Sequence, residues 1–191
     1  MNHLGTKTLE TPRLILRKTK ETDAQPMFKN WASDDRVTKF MTWEIYESAK
    51  QLENSYHKYL LEQQKNDDFY DWKIELKEIG EPIGSIGVVS INDNINEVEI
   101  GYCIGFDWWH KGIMTEAFRE IIRFLFEEVG VNRIVARHDI RNPHSGDVMK
   151  KCGLLYEGTF RQGGKNIQGI CTVSQYALLK EDYENAETET V

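Results

Sequence analysis

The chain has 191 residues and carries 24 Lys plus Arg against 31 Asp plus Glu, a net charge of −7. That length suits one domain burying about two-thirds of its unfolded surface, and the acid excess argues against a nucleic-acid binder. No basic signal region or membrane-length apolar run is present. Three separated cysteines without a C-x-x-C pair argue against a disulfide framework or a zinc site and fit a reducing cytoplasm.

In chain order, Thr11–Lys18 reads as a half-buried strand, with Leu14 and Leu16 alternating against Arg13, Ile15 and Arg17. Asp23–Trp31 reads as a helix start and its apolar face. Asp34–Tyr46 is rich in aromatics (Phe40, Trp43, Tyr46) without a clean period. A second helix is expected over Glu47–Gln64, carrying Leu52, Tyr56, Tyr59 and Leu60. Asn66–Asp71 reads as a loop. Trp72–Leu76, a turn at Glu78–Glu81 and Pro82–Ile91 predict a hairpin.

Glu97–Ile104 (EVEIGYCI) alternates as a central strand, with Glu97, Glu99, Gly101 and Cys103 on one face and Ile100, Tyr102 and Ile104 on the other. Trp109–Thr115 (WHKGIMT) makes a turn into a helix over Glu116–Val129, whose Phe118, Ile121, Ile122, Leu125 and Val129 share one face. Thr115 is the expected N-cap and Gly130 the C-cap. A strand follows over Arg133–Ile140, then the segment Arg141–Ser145, a helix over Gly146–Lys151, and strands over Tyr156–Arg161 and Thr172–Leu179. The end, Glu181–Glu189, reads as solvated and frayed. These elements predict one α/β domain over residues 9–183 with an acidic tail over 184–191.

The strand–turn–helix carries the first chemical signal. The opening amides of a helix lack intrahelical partners and sit at the positive end of its dipole. A turn that aims them outward binds phosphate without an arginine, which points to a nucleotide-like cofactor. A nucleophilic role for Cys103 lacks any sequence signature for a base, so buried filler is the better reading. His110, His138 and His144 lack metal-ligand spacing, so no metal is expected.

TPRLILRK (Thr11–Lys18), DDRVTKFMTW (Asp34–Trp43), EIGY (Glu99–Tyr102), GIMTEA (Gly112–Ala117), Asn142-Pro143-His144-Ser145 and KKCGLLYEGTFR (Lys150–Arg161) occur in the order found in one family. On these segments the chain resembles the GCN5-related N-acetyltransferases (GNAT), and within them the branch that acetylates N-termini of ribosomal proteins. The resemblance implies a central, mixed but mostly antiparallel sheet with helices on both faces. It also implies acetyl-CoA as cofactor, a primary amine as acceptor, and direct attack within a ternary complex. The pyrophosphate would lie on the turn, at Trp109, His110, Lys111, Gly112, Ile113, Met114 and Thr115. Lys111 reads equally well as a solvated lysine.

The pantetheine arm would pair with strand residues around Cys103, Ile104 and Gly105 and be held by Asn142. Trp109 and Met114 depart from the commoner form of the turn but leave its backbone amides in place. Glu99 is the candidate base, with Glu97 the runner-up; the competing reading is a polar residue that orders the acceptor-side loops. Ser145 is the candidate proton donor to the leaving thiolate, against a helix N-cap. Many relatives place a tyrosine where this chain has Met149, and some an acidic residue where it has Gly164. Open alternatives are a small amine acceptor (polyamine, aminoglycoside or amino-acid analogue), a non-catalytic acyl-CoA-binding module, and pairing as a homodimer.

Overall fold

The computed structural model describes residues 1–188. Eight strands form one sheet in the order β1-β2-β3-β4-β5-β6-β8-β7. They are β1 (Leu9–Glu10), β2 (Leu14–Arg17), β3 (Asp71–Leu76), β4 (Glu81–Asn92), β5 (Glu97–Ile104), β6 (Arg133–Asp139), β7 (Leu155–Asn166) and β8 (Gly169–Leu179). Every neighbouring pair is antiparallel except β5 and β6, which run parallel. The expected mixed, mostly antiparallel sheet is therefore present.

The helix that follows β5 runs through Ile113–Phe124 and continues as a wider turn over Leu125–Val129. Its inner face, including Ala117, Phe118, Ile121, Ile122 and Leu125, is essentially fully buried against the sheet. Each large apolar side chain buried this way contributes roughly 1.5–3 kcal/mol. The opposite sheet face is covered by helices over residues 21–32 and 49–63, which bury Met27, Trp31, Leu52 and Leu60. Helices thus lie on both faces.

Several local readings change. The helix after β5 starts at Ile113, and Gly112 rather than Thr115 occupies the N-cap position, with φ +73°. Gly130 ends it with φ +78°, as expected of a left-handed cap. The next helix spans Pro143–Lys151, earlier than expected, because Pro143 suits the first helical position and Asn142 precedes it. Arg17 points inward instead of outward, since it meets buried Asp23 and Glu75. The frayed-tail reading also changes, because Lys180–Thr188 is helical. Tyr183 anchors it, its ring 5.2 Å from that of Phe126 and its hydroxyl donating to Glu127 Oε1 at 2.7 Å. Glu189 of the expected tail lies outside the described residues.

One feature of the sheet sets up the site. Parallel pairing between β5 and β6 covers only Glu97–Ile100 and Arg133–Ala136. Beyond it, β5 continues to Ile104 and β6 to Asp139, so the two strands splay apart. A register shift in β4 between Val88 and Ser90, opposite Glu99 and Ile100, bends the sheet at the same level.

Candidate active site

The peptide groups of β5 alternate in direction. The Gly105 N–H donates to Ile83 O at 2.9 Å and the Cys103 carbonyl lies against Gly84, so these groups face β4. The groups of Tyr102 and Ile104 therefore face the splay. The Ile104 carbonyl there accepts from Trp109 Nε1 at 2.8 Å. That bond folds the indole back onto β5 beside Phe106, with ring centroids 4.9 Å apart.

The helix mouth is braced from behind. Thr11 Oγ1 and the Arg13 backbone N–H donate to Glu116 Oε1 at 2.6 and 3.0 Å, Arg13 Nε donates to Glu116 Oε2 at 2.6 Å, and Arg13 Nη1 donates to Lys111 O at 3.0 Å. Burial works to raise the Glu116 pKa, but these bonds outweigh it and leave the carboxyl below its usual range. The first in-helix bond is Glu116 N–H to Gly112 O at 3.0 Å, so the amides before it are available at the positive end of the dipole.

Two cavities meet over β5. The first, about 460 Å³, lies in the splay and takes in Ile104, Trp109, His110, Gly112, Ile113, Met114 and Thr115. The second, about 630 Å³, lies over the sheet face that carries Glu99, walled by Trp31, Tyr56, Tyr59 and Phe69. Tyr102, Cys103, Asn142 and Ser145 line both, together with Phe40 and Met41. The structure brings Glu99, Cys103, Ile104, Asn142, Ser145 and the turn residues together around these cavities, but Gly105 and Lys111 line neither. Glu97 also lies outside both linings. It accepts from Arg133 Nε at 2.7 Å, and the same guanidinium pairs with Glu157.

Glu99 is a quarter exposed, and its nearest cation, Arg137 Nη1, stands 3.9 Å away. Arg137 Nε is committed elsewhere, donating to Gln175 Oε1 at 2.8 Å. The carboxylate is thus accessible and weakly paired. Burial pushes the Cys103 thiol up to about 11, which keeps it protonated at neutral pH and removes it as a nucleophile. Ser145 lies in the first turn of the Pro143–Lys151 helix, not at its N-cap position. Its Oγ donates to Tyr102 Oη at 3.0 Å, and Tyr102 Oη donates to the Ser145 carbonyl at 2.8 Å.

Met149 is buried in the core, while Gly164 lines the second cavity without offering a side chain. Among the described residues no cluster of His, Cys, Asp or Glu has the makings of a metal site, and no helix is long and apolar enough to cross a membrane.

Sequence reasoning missed several groups. Strand alternation puts Tyr102 on one face of β5 with Ile100 and Ile104, and its ring packs 5.6 Å from Phe118, but alternation carries no signal for where its hydroxyl ends. On the second cavity's floor, fully buried Lys73 is paired with Asp71 and donates to Ser85 Oγ at 2.9 Å. Period-2 alternation over Trp72–Leu76 puts Lys73 on the face opposite Trp72 and Ile74, which was the available signal. At the cavity's far side Asp139 accepts from Arg141 and, at 2.8 Å, from Asn166. The Arg141 bonds hold its pKa at about 2 although burial opposes them.

The donor set is tested by its chemistry. Free amides at a helix mouth suit a diphosphate, and a strand edge with outward peptide groups suits an amide-bearing arm. An acyl group on that arm would reach the junction of the cavities, where Glu99 can be approached from the other side. Fold and site together define an acyl-transfer enzyme of the splayed-sheet type.

Comparison with known proteins agrees. Residues 13–155 match the acetyltransferase (GNAT) domain, and the chain belongs to that family. It is 32% identical over 180 residues to the uncharacterized N-acetyltransferase p20 of Bacillus licheniformis, covering 93% of this chain and 98% of that one. It is 28% identical over 167 residues to the [ribosomal protein uS5]-alanine N-acetyltransferase of Escherichia coli, covering 78% and 79%. Its fold is shared with the microcin C7 self immunity acetyltransferase MccE, solved with acetyl-CoA and AMP, at a TM-score of 0.78 and 18% identity over 88% and 93% of the two chains. The protein is an N-acetyltransferase, and acetyl-CoA is its acetyl donor.

Proposed function

We propose that the chain acetylates the N-terminal α-amine of a protein, with a ribosomal protein as the favoured acceptor. The observation that carries this reading is the accessible Glu99 carboxylate in the second cavity, which meets the donor cleft at Tyr102, Cys103, Asn142 and Ser145. An α-amine, at a pKa near 8, needs roughly 3 kcal/mol less help to become neutral than a lysine near 10.4. One weakly paired carboxylate acting through a water suffices for that task. The relative that modifies the alanine of a ribosomal protein supports the acceptor class.

In this reading Trp109, His110, Gly112, Ile113, Met114 and Thr115 hold the diphosphate, Ile104 and Asn142 hold the pantetheine arm, and Cys103 packs beside the thioester. Acetyl-CoA supplies an activated acyl group. Glu99 takes the proton of the attacking amine, and Ser145 Oγ stabilises the leaving sulfur. The peptide N–H of Ile104, on the opening side of β5, is the backbone group placed to polarise the carbonyl.

A second reading is acetylation of a small amine. The aromatic wall of Trp31, Tyr56, Tyr59 and Phe69 in a cavity of about 630 Å³ favours it. Thiol release from acetyl-CoA with peptides copying ribosomal N-termini, set beside polyamines, aminoglycosides and amino-acid analogues, separates the two. Turnover confined to small amines overturns the N-terminal assignment. Binding of acetyl-CoA with no thiol release on any amine makes the chain a binding module. Mass spectrometry of ribosomal proteins from cells with and without the chain then identifies the acceptor.

A further inference from the structure

Tyr102 and Ser145 come from opposite sides of the splay, one on β5 and the other on the Pro143–Lys151 helix, and their hydroxyls are linked twice. Ser145 Oγ spends its proton on Tyr102 Oη at 3.0 Å, so that proton is committed to the phenol. Tyr102 Oη spends its own proton on the Ser145 carbonyl at 2.8 Å. Burial raises the Tyr102 pKa far more than the Ser145 bond lowers it, so the phenol stays protonated throughout the neutral range. Its ring is fixed against Phe118.

Only the hydrogens can move easily here. Rotating the Tyr102 O–H from the Ser145 carbonyl onto Ser145 Oγ shifts no heavy atom, because the two oxygens are already within hydrogen-bond distance. The Ser145 proton is then released toward the cleft. A hydroxyl whose oxygen accepts one hydrogen bond is also a stronger donor of the next.

We propose that Tyr102 is a positioning residue for acetyl transfer: it holds the Ser145 proton in the resting site and, as the thiolate forms, turns its own O–H onto Ser145 Oγ so that Ser145 donates to the sulfur. The inference rests on the reading of Ser145 as the sulfur's partner. In the completed step the C–S bond breaks as the C–N bond forms, the amine's proton goes to Glu99, and Ser145 keeps its own proton while hydrogen-bonding the departing thiolate, which is then protonated from water. Tyr102 ends with its own proton.

Tyr102→Phe keeps the ring on Phe118 and removes only the hydroxyl. Steady-state rates are to be measured for the parent, Tyr102→Phe, Ser145→Ala and the double variant, each with its melting point and its acetyl-CoA affinity. Tyr102→Phe is expected to lower kcat about tenfold, the loss of one hydrogen bond at the reacting serine, with little change in donor KM. It is expected to cost nothing further in the Ser145→Ala background. Parental turnover, or losses that multiply, would overturn the proposal, since a hydroxyl that acts through Ser145 has nothing left to act on once Ser145 is alanine.

A second readout needs no turnover. By calorimetry, the parent should bind coenzyme A more tightly than desulfo-coenzyme A, and both single variants should lose that preference. If no amine releases thiol, the acetyl-transfer reading fails by itself. The sulfur preference still tests Tyr102, and a preference unchanged in Tyr102→Phe sinks it.

Discussion

Glu97 and Glu99 sit two positions apart on β5, yet their surroundings separate them. Glu97 is bound by Arg133 in a cluster with Glu157, whereas Glu99 faces a cavity with its nearest cation at 3.9 Å. Glu99→Gln is expected to lower kcat about a hundredfold, the usual size of a general-base contribution. It should leave acetyl-CoA affinity intact. A parental kcat in stopped-assay kinetics would return Glu99 to a structural role. Gly112 gives a test of a different kind. A Cβ there would meet only Arg13 Nη2 at 3.7 Å, an ordinary contact, so the difficulty is the backbone φ of +73°. Gly112→Ala should therefore cost about 1–2 kcal/mol in chemical denaturation through left-handed strain and weaken acetyl-CoA by displacing the adjacent amides. Both residues were legible in the sequence because strand alternation and the turn-to-helix junction fix their positions. Tyr102 was not, because its role depends on Ser145, 43 positions away across the splay.

At the scale of elements, Arg17 shows what alternation within one strand cannot reveal. Its guanidinium joins β2, the helix over residues 21–32 and β3, bonding Asp23 Oδ2 at 2.7 Å and Glu75 Oε2 at 2.5 Å in an almost fully buried cluster. The partners are distant in sequence or on another element, so the local pattern placed Arg17 outward. Burial works against the charge on Arg17 and Glu75 alike. The mutual hydrogen bonds win, leaving the Arg17 pKa raised and that of Glu75 lowered. Arg17→Met should cost about 3–5 kcal/mol in urea unfolding, because it takes the guanidinium from buried Asp23 and leaves Glu75 with Lys20 alone. The sign of the pH effect follows from Glu75. A carboxyl whose folded pKa is depressed stabilises the fold above its unfolded value, about 4.3, and loses that contribution as pH falls through the folded value. The parent should thus weaken below about pH 4, and the variant, already lacking the pair, should show less of this acid loss. If both chains lose stability equally on acidification, the cluster is not the source. The extension of β7 to Asn166 was hidden for a related reason. The expected strand stops at Arg161, but Gly164 pairs with Cys171 of β8 across a register shift.

For the whole molecule, the central fact is that an acidic chain, net −7, takes an anionic donor. Its net field opposes the ligand, so short-range contacts must carry the binding. The structure offers these as backbone: the helix mouth after Gly112 and the outward peptide groups of β5, both created by the place where β5 and β6 part. This geometry was visible in outline from EIGY, the turn and the helix, while the depth of the splay was not, since it depends on where a parallel pairing stops. If the diphosphate is held by the helix mouth, acetyl-CoA at about a hundred times its Kd stabilises the fold by about 2.7 kcal/mol, which raises Tm by roughly 5–10 °C for a chain of this size. S-acetylpantetheine keeps the thioester and the arm but lacks the diphosphate. At the same concentration it should shift Tm by no more than about 1–2 °C, because it engages the β5 edge alone. Equal shifts from the two ligands in differential scanning fluorimetry would mean that the amides between Gly112 and Thr115 hold nothing, and that the donor is bound through its arm.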